Sequence, residues 1–435
     1  MTRTTRPLAA LAAGTLLLAA GGFAELAHAQ GNTIVLTGAR LIDGTGAAPI
    51  EQAALVLRDG RIVAAGPAAT TSRPDDAVHI ALSGKTIIPG LINAHGHLNE
   101  GRADLTVREQ LTSQLKVAAD YGVTTVVVLG SGPNDLEETV RLRDEQDNGR
   151  LDRARVYVAG PSLRDFRTEA EARAAVDAYA DARVDVVKIH ITGGPNDMTP
   201  AVYGALIDQA HSRGLRVAAH LYYLEDAHGL VDAGVDVIAH SVRDRDVDAE
   251  LIAELNRRGI AYTPTLTRDL AQYVYESTPA FFNDPFFLRH EETFRQEITL
   301  LSDPAHQERV RNDAGAQAMK PALEQGMRNL KTLSDAGVLI ALGTDSGTNQ
   351  GQWLGYFEHT ELEMMVEAGM TPAQVLYAAT GGAARSMELD DELGTLQPGR
   401  RADLVVLNAN PLEDIRATRE IDSVWIGGVR LDGVP

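Results

Sequence analysis

Residues 89–97 read Pro89-Gly90-Leu91-Ile92-Asn93-Ala94-His95-Gly96-His97, and they follow the apolar run Thr86-Ile87-Ile88. Such a run is typical of a buried β-strand. Because side chains alternate between the two faces of a strand, we expect His95 and His97 to point the same way. Two imidazoles on one face can bind one metal ion. A single His-x-His motif is weak evidence by itself, so the rest of the chain must supply further ligands.

After His97 the sequence alternates between short apolar strands and helices. Counting the strand before His95, eight strand–helix units are predicted, with later strands at 123–129, 155–159, 184–189, 215–220, 235–240, 260–263 and 338–342. Repeated units of this kind form a parallel sheet, and eight of them indicate an α/β fold closed into a (β/α)8 TIM barrel. An open doubly wound sheet is the alternative. The absence of a Gly-rich dinucleotide-binding turn favours the barrel.

The two ends of the chain have a different pattern. Residues 31–88 contain short strands separated by turns, with a hairpin signal at Asp59-Gly60. Strand-like runs at 402–407 and 422–426 are candidate partners for them. We therefore expect the two chain ends to form one small all-β module.

One interval, residues 266–322, interrupts the regular alternation of strands and helices in the predicted barrel. It carries seven aromatic residues, which are Tyr273, Tyr275, Phe281, Phe282, Phe286, Phe287 and Phe294. An insertion at the C-terminal end of a barrel strand lies over the active-site face. Two interpretations stay open: helices that pack on the barrel wall or on another subunit, and a lid that offers aromatic surface to a substrate.

Polar residues stand at the predicted C-terminal ends of five strands. They are His95, His97, Lys188, His220, His240 and Asp345. In a TIM barrel such residues converge on one mouth. A lone histidine at a strand end is more often structural, but six polar groups on five strand ends favour a shared site. Four neutral imidazoles and one carboxylate suit Zn²⁺ or a similar metal.

Lys188 does not fit a metal site as a free ammonium, because dications would repel it. An amine that has reacted with CO₂ becomes a carbamate, which is anionic and can bridge two ions. The position of Lys188 among the predicted ligands therefore suggests this modification.

Taken together, these motifs resemble the amidohydrolase superfamily, in its subtype with two metal ions and a carboxylated lysine. Within it, the chain is most similar to the group around imidazolonepropionase and the Xaa-Pro dipeptidases. The matching segments are 88–97, Val187-Lys188-Ile189 with Thr192-Gly193-Gly194, Ala219-His220, Ala239-His240-Ser241, Gly343-Thr344-Asp345-Ser346-Gly347 and 394–405.

The resemblance implies a role for each predicted ligand. It implies that His95, His97 and Asp345 bind the more buried of two divalent ions, with zinc as the first expectation. It implies that His220 and His240 bind the more exposed ion, and that carboxylated Lys188 bridges both. It also implies a discontinuous β-sandwich domain, residues 30–88 plus 390–435, beside a barrel domain of residues 89–389.

The resemblance further implies a hydrolase in which a metal-bridging hydroxide attacks a carbonyl carbon. Asp345 can accept the proton of that hydroxide and deliver it to the leaving group. We expect cleavage of an amide bond in a dipeptide, an N-acyl amino acid or a cyclic amide. Esterase or lactonase activity at the same site is the first alternative. A metal-dependent lyase or isomerase and a non-catalytic metal-binding or sugar-binding barrel are further alternatives.

Loop residues next to the predicted ligands are candidates for substrate binding. They are His190, Tyr222, Tyr223, Arg243 and Arg268. Either arginine could bind a carboxylate of the substrate, because a guanidinium matches the geometry of a carboxylate. For each of the five residues, a role in stabilising a loop is the alternative.

Composition excludes some functions. The formal net charge of −20 argues against nucleic-acid binding, which needs a basic surface. The chain has no cysteine, which excludes thiolate ligands and a cysteine nucleophile. We expect a small-molecule substrate, and a homo-oligomer stays open.

Residues 1–29 resemble a secretory signal peptide. Arg3 and Arg6 precede an apolar run at 8–20, and Ala27-His28-Ala29 forms a small-x-small cleavage site. A membrane anchor is the alternative, but the apolar run is short for a span. We therefore expect a periplasmic or secreted protein with no membrane segment after cleavage.

We predict that the signal peptide is cleaved between Ala29 and Gln30. N-terminal sequencing of the protein from its native host should find Gln30 as the first residue. Full-length protein retained in the cytoplasm would contradict this prediction.

Overall fold

The computed structural model describes residues 33–98, 104–132 and 134–432. The predicted signal peptide, residues 1–29, lies outside the described residues, so its cleavage stays a prediction. Among the residues that are described, no helix combines the length and the apolar character needed to cross a bilayer.

Helices and strands alternate over most of the described chain. The α-helices are α1 (Val107–Asp120), α2 (Leu136–Glu145), α3 (Glu169–Asp181), α4 (Pro200–Ser212), α5 (Leu224–Asp232), α6 (Ala249–Arg258), α7 (Leu266–Leu270), α8 (Glu291–Leu301), α9 (Pro304–Asn312), α10 (Ala314–Asp335), α11 (Tyr356–Glu367), α12 (Pro372–Ala378) and α13 (Gly381–Ser386). Short 3-10 helices cover Val274–Glu276, Ala280–Asn283, Phe287–His290 and Ile415–Arg419.

The strands are β1 (Ile34–Thr37), β2 (Arg40–Leu41), β3 (Ala53–Arg58), β4 (Arg61–Pro67), β5 (Val78–Ala81), β6 (Thr86–Pro89), β7 (Leu91–Gly96), β8 (Val123–Val128), β9 (Arg155–Val158), β10 (Val186–His190), β11 (Arg216–His220), β12 (Val237–Ala239), β13 (Ala261–Thr263), β14 (Leu404–Leu407), β15 (Ile421–Ile426) and β16 (Val429–Arg430).

The central strands form two parallel sheets, with the orders β7-β8-β9 and β10-β11-β12-β13. In the second sheet, Lys188 pairs with Ala218 and His190 pairs with His220. Helices α1 to α6 each connect one of these strands to the next. This confirms the predicted strand–helix alternation and a mixed α/β fold. It also brings the carboxyl ends of the strands, and the polar residues on them, to one edge.

The eighth predicted strand, residues 338–342, is not a regular strand in the structure. Its described pairing is one isolated bridge between Ile340 and Tyr262. The neighbouring amide of Leu342 donates instead to the carbonyl of Ala378, at the end of α12, over 2.8 Å. Carbonyls at a helix C-terminus lack partners inside the helix. The C-terminal end of α12 therefore accepts a hydrogen bond from an amide that would otherwise bond to a neighbouring strand.

A few backbone hydrogen bonds outside the regular strands cross the seams between the two sheets. The amide of Asp185 donates to the carbonyl of Val158 over 2.8 Å, and the amide of Ala94 donates to the carbonyl of Leu342 over 2.8 Å. Regular strands among the described residues therefore do not form one continuous, closed eight-stranded sheet. The predicted closed barrel is not confirmed in that form.

The chain ends form two further sheets, with the orders β4-β3-β1-β5 and β16-β15-β14-β6-β2. The antiparallel pairing of β14 with β6 joins residues far apart in the sequence, as in the pair Val406 and Ile87. Leu36 and Leu57 of the first sheet share one hydrophobic cluster with Ile87, Val406 and Trp425 of the second. Association of the two chain ends is thus observed, whereas the sandwich and its domain bounds stay predictions.

The aromatic residues of the 266–322 interval pack mainly on one another and on the segment that follows Asp345. Phe287 is fully buried, and its ring lies 5.1 Å from that of Trp353. Tyr121 at the end of α1 donates a hydrogen bond to the carbonyl of Phe287 over 2.9 Å. Because the cluster is buried, it offers little aromatic surface to a substrate. The structure therefore favours the packing interpretation of this interval over the lid.

Candidate metal centre

The His-x-His motif and Asp345 are joined by their backbones. The amide of Asp345 donates to the carbonyl of His95 over 2.7 Å, and the amide of His97 donates to the carbonyl of Ser346 over 2.8 Å. These bonds place the motif beside the loop that carries the carboxylate. Asp345 has a φ of +59°, in the left-handed region that non-glycine residues rarely adopt. Its side chain is therefore directed by a backbone conformation that the surroundings must hold.

Three buried side chains bring potential ligand atoms together. Donor atoms of His95, His240 and Asp345 all lie within 4.8 Å of one another. Nε2 of His95 lies 3.1 Å from Oδ1 of Asp345. Burial lowers the pKa of His95 to about 3, with a further contribution from Lys188. His95 is consequently a neutral imidazole with an available lone pair.

His97 shows why this cluster calls for a cation. Its Nδ1 lies 2.7 Å from the carbonyl oxygen of Gly130. A carbonyl cannot donate, so Nδ1 carries the proton, and Nε2 of the neutral ring is an acceptor. That Nε2 lies 2.8 Å from Oδ1 of Asp345, which is also an acceptor. A second proton on His97 or a bound cation must relieve the repulsion between them.

Lys188 is enclosed in the same cluster. It is 1% exposed, and its Nζ lies 3.3 Å from Nε2 of His95. Burial lowers the pKa of Lys188 to about 7, although the charge of Asp345 acts in the opposite direction. A large fraction of the amine is thus neutral near pH 7. The neutral amine is the form that reacts with CO₂.

A second group of imidazoles continues from the first. The ring of His240 lies 4.6 Å from that of His95, and the ring of His220 lies 4.3 Å from that of His240. Burial and the neighbouring histidines lower the pKa values of His220 and His240, so both rings are neutral. Nδ1 of His240 lies 2.7 Å from the hydroxyl of Thr265. This contact orients the ring, as is usual for metal-binding histidines.

These observations fit a divalent metal centre. Neutral imidazoles and one carboxylate are the ligands that zinc prefers, with bonds of about 2.0–2.2 Å. Ligand atoms around one tetrahedral ion with such bonds lie about 3.3–3.6 Å apart, a few tenths of an ångström more than the 3.1 and 2.8 Å between Asp345 and the two histidines of the motif. The structure brings all six sequence-predicted residues into one connected cluster. Their roles as ligands stay a prediction.

The five predicted substrate residues differ in their placement. The ring of His190 lies 4.1 Å from that of His220 and is tilted against it by 56°, Tyr222 is partly buried, and Tyr223 is exposed. Arg268 is partly exposed, and its Nε lies 3.7 Å from Oδ2 of Asp345.

Arg243 does not reach the open side of the cluster. Its side chain is 1% exposed and forms an ion pair with fully buried Asp269 over 2.6 Å. Its other terminal nitrogen donates to the carbonyl of Leu221 over 3.1 Å. The structure thus favours the loop-stabilising alternative for this arginine, and we leave it out of the proposed substrate site.

Sequence reasoning missed several residues that surround the cluster. Glu358 and Glu361 are fully buried on α11, and they contact the loops that carry the candidate ligands. The signal for them in the sequence was weak, because half of the twelve residues of α11 are polar and nothing in the pattern marks these two glutamates as buried. Charged residues are almost never fully buried without a partner.

Comparison with known proteins agrees with this geometry. Residues 86–431 match the amidohydrolase family, and this segment covers most of the chain. The chain belongs to the amidohydrolase family. It is therefore an enzyme of a family whose members hydrolyse carbon–nitrogen bonds, and the resemblance to the amidohydrolase superfamily is confirmed. The subtype with two metal ions and a carboxylated lysine stays a prediction.

Individual relatives include enzymes with different substrates. A candidate prolidase from Bifidobacterium longum has a solved structure that superposes with a TM-score of 0.74 at 29% identity, covering 92% of this chain and 95% of that one. Imidazolonepropionase of Geobacillus kaustophilus is 24% identical over 82% of this chain and 84% of its own length. Ochratoxinase of Aspergillus niger is 28% identical, over 60% of this chain and 49% of its own length.

We predict that a divalent ion stabilises the protein through His95. Zn²⁺ or Mn²⁺ at about 100 times its Kd should stabilise the wild-type fold by about 2.7 kcal/mol, because the ion binds only the folded state. The variant His95→Gln should lose most of this metal-dependent rise in melting temperature. Differential scanning calorimetry with and without added metal measures the effect.

His359→Gln is the matched control. His359 is also buried, but its ring nitrogens contact the carbonyl of Tyr121 and the hydroxyl of Thr418, away from the cluster. This variant should melt at a lower temperature and keep the metal-dependent rise. An equal loss of the rise in both variants would contradict the assignment of His95.

Proposed function

We propose that the protein is a metal-dependent hydrolase of an amide bond in a small molecule that carries a carboxylate. The observation that supports this most is the convergence of Asp345 with two imidazole nitrogens at 2.8 and 3.1 Å. Family membership supports the reaction class. We also propose that the eight strand segments form a distorted barrel whose two seams are crossed by backbone hydrogen bonds outside the regular strands.

The residues that would hold the ions follow from the cluster. His95, His97 and Asp345 would hold the more buried ion, and His220 and His240 the other. Lys188 would join both after its neutral amine forms a C–N bond with CO₂ and loses a proton, which leaves an anionic carbamate. When bound, the two ions would lower the pKa of water and polarise a substrate carbonyl. Zinc suits these nitrogen and oxygen donors.

Asp345 is placed to move the proton of the reaction. Burial raises its pKa, but His95 and His97 outweigh burial and hold the pKa well below its usual value. The carboxylate is therefore ionised and able to accept a proton from water as the carbonyl is attacked. The same carboxylate can then return the proton to the leaving nitrogen, which completes amide hydrolysis.

The surroundings of Asp345 support a substrate with a carboxylate. Arg268 is 24% exposed on its side chain and lies next to the proposed reacting groups. Its terminal nitrogen donates to Asp269 over 2.8 Å, which fixes the guanidinium and leaves other donors available. Tyr222 and Tyr223 pack against each other at 4.9 Å on the loop after His220 and could contact the rest of the substrate. Dipeptides, N-acyl amino acids and cyclic amides fit this description.

Ester or lactone hydrolysis is the second candidate, because the same ionised carboxylate and polarised carbonyl serve both reactions. We further propose that the enzyme acts after export, on the strength of the signal-like sequence at residues 1–29.

The proposal predicts hydrolysis in a direct screen. Metal-loaded protein should cleave members of a library of dipeptides, N-acyl amino acids, cyclic amides and lactones in ¹⁸O-labelled water. Mass spectrometry should find one ¹⁸O atom in the acid product. Asp345→Asn should abolish turnover, because an amide cannot accept the proton. Product formation without incorporation of water would instead indicate a lyase or an isomerase.

We predict that Lys188→Ala loses bound metal and turnover together. Without the bridging anion, two like-charged ions lie close together and repel each other. Metal content by mass spectrometry, measured beside turnover, checks this. Acetate should partly restore both by filling the bridging position, and Lys320→Ala, on a partly exposed lysine, should change neither. Two tightly bound ions and near-normal turnover in Lys188→Ala would show that the bridging role is wrong.

A further inference from the structure

Helix α11 carries two fully buried carboxylates, Glu358 and Glu361, one helical turn apart. Burying an ionised carboxylate is costly unless it is paired and hydrogen-bonded. Among the residues that the structure describes, no Lys, Arg or His side chain forms an ion pair with either glutamate. Burial raises the pKa of both carboxyl groups, that of Glu361 to about 7, while hydrogen-bond donors from the loops around the candidate metal centre act in the opposite direction.

Glu358 joins the His-x-His strand to the Asp345 loop. One of its oxygens accepts from the side-chain amide of Asn93 over 2.5 Å and from the hydroxyl of Ser346 over 2.9 Å. Its other oxygen accepts from the amide of Gly355 over 2.6 Å. Asn93 in turn accepts a hydrogen bond from the amide of His95 over 2.9 Å. One carboxylate thus reaches residues on either side of Asp345 and the backbone of a candidate ligand.

Glu361 does the same for the loop that supports His240. Its two oxygens accept from the amides of Leu266 and Thr267, each over 2.7 Å. The second oxygen also accepts from the hydroxyl of Thr267 over 2.7 Å. These two residues directly follow Thr265, whose hydroxyl contacts Nδ1 of His240. Thr265 has a φ of +51°, so its loop is held in a sparsely populated conformation.

The hydroxyl of Thr267 connects the two arrangements. Its single proton goes either to Glu361 over 2.7 Å or to the carbonyl of Thr344, the residue before Asp345, over 3.2 Å. The side chain of Thr344 accepts from Asn93 over 2.8 Å. One buried polar network therefore contains the two glutamates, Asn93 and the hydroxyl groups of Thr267, Thr344 and Ser346. It links the strand that carries His95, the loop that carries Asp345 and the loop at 265–267 that contacts His240.

We propose that Glu358 and Glu361 are positioning residues that hold these three segments in the geometry needed for metal binding. Neither glutamate is a candidate metal ligand. Both act on the metal centre through the loops to which they are hydrogen-bonded. For holding α11 in place, a well-packed apolar residue would serve as well as a buried charge or better. Fixing the loops is what the hydrogen bonds to the two carboxyl groups add. This inference rests on the proposed metal centre.

The variants Glu358→Gln and Glu361→Gln test this role with little change in volume. Glutamine has one acceptor oxygen and one NH₂ group, whereas each glutamate here receives donors on both of its oxygens. In each variant an NH₂ group would face an N–H or O–H donor, and the loop would shift. We expect metal affinity, measured by competition with a chromophoric chelator, to fall tenfold to a hundredfold, as for other residues that orient ligands.

Glu363→Gln is the matched control on the same helix. Glu363 pairs with Arg419 and does not contact the three segments. It should keep the wild-type affinity for Zn²⁺ even if its melting temperature falls. Thr267→Val removes one donor to Glu361 and keeps the branched shape of the side chain. It should give a smaller loss of metal affinity than Glu361→Gln. This variant tests the same role if the glutamine variants fail to fold.

The outcomes separate this inference from the proposed function. Wild-type protein that binds no divalent ion would overturn the metal centre itself. Wild-type protein that binds Zn²⁺, with Glu358→Gln, Glu361→Gln and Thr267→Val all within twofold of its affinity, would overturn only the positioning role. A loss of affinity that Glu363→Gln shows equally would also overturn it, since the effect would then follow from stability alone.

Discussion

One oxygen atom organises this protein. Oδ1 of Asp345 faces Nε2 of His95 and Nε2 of His97 at 3.1 and 2.8 Å. Nε2 of His97 and Oδ1 of Asp345 both direct a lone pair into the same small space, because His97 has its one ring proton committed to a backbone carbonyl. Such an arrangement is unfavourable unless something positive occupies that space. The surrounding structure is best understood as the means by which the chain keeps these acceptors together.

Holding the acceptors together requires backbone conformations that the chain would not otherwise adopt. Asp345, His240 and Thr265 all have φ angles in the positive region. Strain of this kind persists only where neighbouring contacts over-determine the conformation. Here the contacts come from β7, from the buried carboxylates of α11 and from the aromatic cluster that fixes the segment after Asp345. Apart from Arg268, which lies beside Asp345, the 266–322 interval contributes to the site in this indirect way.

Strand-end logic predicted much of the candidate site from the sequence alone. His95, Lys188 and His220 follow apolar runs whose boundaries are clear, and parallel strands bring such ends to one edge. The eighth strand was harder to predict, because its apolar sequence gives no sign that the end of α12 competes for its amides. Arg243 was also beyond local patterns. Asp269 is 26 residues from Arg243 in the sequence, and only the fold shows that its carboxylate lies 2.6 Å from the Arg243 guanidinium.

The most direct test of the account is X-ray diffraction from metal-soaked crystals at the zinc absorption edge. The account predicts two anomalous peaks per chain, one beside His95, His97 and Asp345 and one beside His220 and His240. It also predicts electron density for a carbamate on Lys188 between the two peaks. A cluster without any anomalous peak, with Lys188 as a free amine and His97 doubly protonated against Asp345, would contradict it.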